Sequence, residues 1–151
     1  MVAFVLMASP FVFSVNHEDI AAVLEAFCNC RTQISYVQFM SHLVQILLHY
    51  QSPRIAFVSL CNMVNAEIFE IYIHCNAAEI RQRIEVFAKM LVFNASDIAR
   101  HLQRLEILPD IYVMDWCQGL FSAQLDVDIV ARIWDLYFLN GEVCMFEDAL
   151  I

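Results

Sequence analysis

Downstream of Pro10, apolar residues recur three and four positions apart almost without interruption, the spacing that gives an α-helix one buried face. Polar punctuation breaks the pattern at intervals too short to separate domains. Asn16, followed by Glu18 and Asp19, supplies an N-cap and an acidic first turn for a helix that buries Ile20, Val23, Leu24, Phe27 and Cys28 and ends near Cys30. A second helix is expected over residues 37–50, with Met40, Leu43, Val44, Leu47 and Leu48 inward. Pro53 suits a first helical turn and opens a third helix, on which Ile55, Phe57, Val58 and Cys61 are expected to face the core. Residues 66–73 fit a strand as well as a helix, since Ile68, Ile71, Tyr72 and Ile73 suit a pleated surface. Their helical surroundings favour helix.

Asn76 with Glu79 three residues on has the form of a capping box. The long helix it starts carries Ile80, Ile84, Phe87 and Leu91 on one face, with Arg81, Arg83, Glu85 and Lys89 outward. A shorter helix follows from Ser96 with Ile98, Leu102 and Leu105 as its apolar positions. Pro109 starts another, anchored by Trp116 and Phe121. Asp126 or Asp128 starts the next, with Ile129, Ile133, Trp134 and Tyr137 inward and Gly141 just beyond its C-terminus. A further helix is expected to be under way at Ile151. The fold class is therefore all-α, in a single domain over residues 1–151.

Composition adds a partner and removes several function classes. The chain has 151 residues, enough for one core, but 61% are hydrophobic and only 17% charged, more apolar surface than one small core hides. Part of that surface is expected to meet another protein. A net charge of −9, with Lys89 and seven scattered arginines, leaves no basic stripe for a phosphate backbone, so nucleic acid is excluded as a partner. Gly119 and Gly141 are the only glycines, too few for a phosphate-cradling loop, and no bound nucleotide or other cofactor is expected. The five histidines are scattered and the six cysteines form no C-x-x-C pair, so no metal site is expected and the thiols read as small, reduced core residues of a cytoplasmic protein. The apolar run over residues 1–15 has no basic leader and is too short to cross a bilayer.

One polar pair does not fit the apolar helix it begins: Tyr36 and Gln38, in the stretch Ile34 to Leu43. Further on come PDIYVMDW at residues 109–116, Leu120 to Ser122, ARIWD at residues 131–135, Asn140 with Gly141, and then Phe146 and Ala149. In order and spacing these resemble the second half of the TBC domain, the all-helical module of GTPase-activating proteins for Rab GTPases. The likeness covers roughly residues 10–151, is strongest over residues 16–151, and lies nearest the subgroup linked to recycling-endosome traffic and autophagy.

The resemblance implies that Gln38 is the matching residue to the family's glutamine finger, which acts in trans to align the attacking water on bound GTP, with Tyr36 completing the Y-x-Q motif. The protein would then be a GTPase activator rather than an enzyme in its own right. Its partner would be a GTP-bound Rab, and it would reach endosomal or vesicle membranes only through partners. Orienting water is a task an amide can perform, because it both donates and accepts hydrogen bonds.

The family pattern is broken at Phe4, Met7 and Phe39. The arginine finger of its I-x-x-D-x-x-R motif, counted back from Pro10, falls on Met1, Phe4 and Met7, so aspartate and arginine are both missing. Phe39 stands where the family has glycine, and is expected to crowd the nucleotide side of the site. Arg31, five residues before Tyr36, is a candidate substitute finger but is expected instead to sit solvated near a helix C-terminus. An arginine finger contributes about 10³–10⁵ in rate, so GTPase activation is expected to be impaired. The alternative is a non-catalytic helical scaffold that binds Rab or tethering proteins. Both ends of the domain are expected to be truncated.

Overall fold

A computed structural model describes residues 15–142, and among them the secondary structure is entirely helical: α1 His17–Cys30, α2 Phe39–Tyr50, α3 Pro53–Met63, α4 Glu67–Ile73, α5 Ala77–Asn94, α6 Ser96–Arg104, α7 Pro109–Gly119 and α8 Val127–Asn140. Met1, Phe4, Met7, Pro10, Cys144, Phe146, Ala149 and the helix expected to reach Ile151 lie outside the described residues.

The start and stop signals act where the residues place them. Asn16 Oδ1 accepts the backbone N–H of Glu18 at 3.0 Å, closing the first turn of α1. Pro53 and Pro109 open α3 and α7 at a position whose N–H has no helical partner. Gly141, at φ +82°, ends α8 and returns its N–H to the Tyr137 carbonyl at 2.8 Å. Residues 67–73 are helical, with Ile68, Phe69, Ile71 and Tyr72 buried.

Packing centres on α2, which touches α1, α3, α7 and α8, while α7 also meets α4 and α5 and α6 lies along α5. Phe27, Met40, Leu43, Val44, Ile46, Leu60, Phe69, Phe87 and Leu120 are fully enclosed. Around α7 the aromatic rings form a second cluster: Trp116 lies 4.8 Å from Tyr112, 5.6 Å from Phe121 and 5.9 Å from Phe87, centroid to centroid. The turn after α7 is tight. Leu120 and Phe121 both have positive φ, +45° and +61°, a conformation that costs a non-glycine residue about 1–2 kcal/mol. Trp134 of α8 holds the turn by donating its indole N–H to the Leu120 carbonyl at 3.0 Å.

Four helix faces differ from the sequence expectation. On α3 the inward stripe is Ala56, Leu60 and Met63, and Ile55 and Val58 are exposed; the buried residues sit four and three apart, but alanine carries so little apolar signal that the larger neighbours were favoured. No residue of α6 is fully buried, since the helix touches little besides α5, and Ile98 and Leu105 face outward. On α8 Val130 rather than Ile129 points inward. Arg83 on α5 is not outward: its side chain is only 14% exposed, donates Nε and Nη2 to the two carboxylate oxygens of Glu142, and lies 3.8 Å from Glu67 and Glu79. The paired fork satisfies a guanidinium away from bulk water. Asn76 also departs, because its side-chain amide donates to Glu79 at 2.6 Å instead of capping the backbone.

Candidate functional site

The segment between α1 and α2 is held at both ends. Arg31 caps α1 through its N–H to the Phe27 carbonyl at 2.8 Å, and its guanidinium crosses to the turn after α3, donating to the Asn65 side chain and to the Cys61 carbonyl at 3.5 Å. Arg31 is therefore a structural tie, not a solvated helix-end charge. At the other end Gln38 already has helical torsions, φ −54° and ψ −38°, and its carbonyl accepts Ser41 N–H at 3.2 Å and Ser41 Oγ–H at 2.8 Å. Its amide makes no capping hydrogen bond and Gln38 is exposed. The backbone is fixed while the side chain is presented outward.

Tyr36 is half-buried against the core, with its hydroxyl enclosed and without a hydrogen-bond partner among the described residues. Phe39 is directed mainly into the core. It is 4% exposed and stacks on Phe69 at 6.1 Å, because successive helical positions point about 100° apart and residue 39 turns toward the core when residue 38 turns out. Its ring packs into the core, and Phe39 also lines the cleft beside Gln38.

Gln38 borders a cleft of about 240 Å³ between α2 and α7. His42, one turn along α2, forms one wall; Asp115 and Gln118 of α7 and Gln124 of the following turn form the other. Gln118 Nε2 donates to Asp115 Oδ1 at 3.0 Å. Burial pushes the His42 pKa down, which keeps the ring neutral, and among the described residues its Nδ1 is enclosed without a partner, as is Gln124 Oε1. No lysine or arginine lines the cleft among the described residues. Sequence reasoning had missed these four wall residues. Only the four-residue step from Gln38 to His42 and the position of Asp115 within PDIYVMDW hinted at them.

Helices alone, packed round α2 and presenting an amide beside a small surface cleft, define an all-α domain whose candidate site is open to another protein rather than enclosing a substrate. The family model described as the Rab-GTPase-TBC domain matches residues 8–151, and the chain belongs to that family, one of Rab GTPase activators. It is 30% identical over 134 residues to Drainin of Dictyostelium discoideum, covering 89% of this chain and 31% of that protein. It is 27% identical to TBC1 domain family member 14 of Homo sapiens and 26% identical to member 12 of Rattus norvegicus, in each case over 89% of this chain and 19% of the relative. The chain thus spans a third or less of the length of these relatives.

Proposed function

We propose that the chain is a Rab-GAP-type module that binds a GTP-loaded Rab through the surface around Gln38 and accelerates its GTP hydrolysis weakly or not at all. Family membership supports the partner class. The observation that carries the weak-catalysis part is the charge of the cleft: among the described residues, a carboxylate and a neutral imidazole stand beside the exposed amide, and no cation. Phosphoryl transfer needs both a positioned water and positive charge for the phosphoryl oxygens. Gln38 is suited to the first task. Methionine and phenylalanine at positions 1, 4 and 7 offer nothing for the second.

Binding without turnover also describes a scaffold, and the same lack of cationic lining favours that second reading. The subgroup resemblance is the support for the rest of this reading, in which the module works in the cytoplasm, at endosome or vesicle membranes reached through its partner. Retention of a panel of Rabs on the immobilised chain, each loaded with a non-hydrolysable GTP analogue or with GDP, tests the common element. Selective retention of at least one GTP-form Rab is expected, reduced by Gln38→Ala; equal or absent retention of both forms across the panel overturns it.

A further inference from the structure

The cleft beside Gln38 holds one carboxylate and, among the described residues, no cation. Gln118 Nε2 takes one site on Asp115 Oδ1, whereas a carboxylate accepts about four hydrogen bonds, so most of its capacity stays open. Gln124 Oε1 is enclosed without a partner among the described residues, and a buried acceptor costs free energy until a donor reaches it. The neutral ring of His42 offers one acceptor nitrogen and no charge to repel a cation. At about 240 Å³ the cleft falls below the roughly 300–1,000 Å³ of small-molecule pockets and suits a single side chain.

The complement to a carboxylate flanked by neutral acceptors is a planar cation with several N–H groups pointing different ways. A guanidinium meets that description with five donors in a fixed fork; an ammonium gathers three on one atom. The chain's net charge of −9 draws such a group in from solution. We propose that this cleft receives an arginine side chain projecting from the bound Rab-type partner, anchored by Asp115, Gln124 and His42 next to Gln38. The inference rests on the Rab-binding reading and adds the chemistry of one contact. Arginine inserted into a desolvated pocket is a common source of interface affinity.

Two measurements on the whole chain test it. In the first, agmatine, which carries a guanidinium, is titrated against the isotopically labelled protein alongside n-butylamine and neutral N-butylurea. Saturable amide shifts are expected at Gln38, Gln118 and Gln124 with agmatine, weaker with butylamine and absent with butylurea. Asp115→Asn, isosteric and on an exposed position, should weaken agmatine binding at least about tenfold, as loss of a charge-assisted pair does. Shifts that are absent, equal for the neutral probe, or unchanged in Asp115→Asn overturn the proposal.

The second measurement compares GTP-form Rab affinity of the wild-type chain and Asp115→Asn. A loss of about tenfold or more is expected. Unchanged affinity alongside intact agmatine binding means that the cleft takes guanidinium but not the partner's, and overturns the contact. If no Rab is retained even by the wild-type chain, the Rab-binding reading fails and this contact fails with it. An agmatine result confined to the cleft still tells the two failures apart.

Discussion

Gln38 and Phe39 show how one peptide step separates surface from core. Neighbouring positions at the start of α2 send an amide to the surface and a ring into the core, so Gln38→Ala should leave stability within about ±0.5 kcal/mol in urea melts. Phe39→Ala removes a stacked core ring and is expected to cost about 3–5 kcal/mol. Arg31→Ala, which cuts the tie to Asn65 and Cys61, should cost about 1–2 kcal/mol by the same assay. The sequence made Tyr36 and Gln38 legible because a polar pair interrupts an apolar run. Arg31 was misjudged because its acceptors lie thirty and thirty-four residues away, a separation that local pattern does not encode.

His42 brings a pH dependence at the same scale. Burial lowers its folded-state pKa below the unfolded value of about 6.5, so the unfolded chain takes up the proton first as pH falls. The stabilisation from the neutral ring is fully present above about pH 6.5 and is lost as pH drops toward the lower folded-state pKa. Thermal midpoints should therefore decline between about pH 7 and pH 5.5, and His42→Asn should flatten that decline. A variant that declines as steeply as the wild-type chain removes His42 as the cause.

At the scale of helices, punctuation was more legible than facing. Asn16, Pro53, Pro109 and Gly141 mark the ends of α1, α3, α7 and α8 because capping and proline chemistry are local. Which side of α3 or α8 turns inward depends on the neighbours it meets. On α3 the answer hangs on Ala56, on α8 on Val130 ahead of Ile129. The α7–α8 turn was invisible from sequence, since nothing in Leu120 or Phe121 announces positive φ; the Trp134 indole supplies the reason from fourteen residues away. Trp134→Ala should lose core packing and leave the Leu120 carbonyl unpaired, costing about 3–5 kcal/mol or more. A domain stable by about 5–15 kcal/mol then melts broadly or not cooperatively at all, as circular dichroism would show. Trp134→Phe keeps most of the packing and should fall between the two.

Taken whole, the molecule joins an apolar helical body to an acidic, cation-poor site. Exposed Phe93, Val92, Leu108 and Ile111 make visible the excess of hydrophobic residues that composition had already signalled. The fold class was legible because helical periodicity runs nearly the whole length, and the family because motifs of α2, α7 and α8 keep their order. The cleft was not, because its walls come from segments about eighty residues apart that only tertiary packing brings together. A family of Rab GTPase activators is here represented by a surface that presents the Gln38 amide and, among the described residues, no cation in the cleft beside it.

Single-turnover GTP hydrolysis by a retained Rab, measured with the chain at saturation, tests that claim most directly. Stimulation below roughly tenfold is expected, far short of the 10³–10⁵ an arginine finger contributes, and unaffected by Gln38→Ala within that small range. A stimulation of roughly a hundredfold or more that disappears in Gln38→Ala would contradict it, showing that the chain activates hydrolysis although the described lining of the cleft holds no cation.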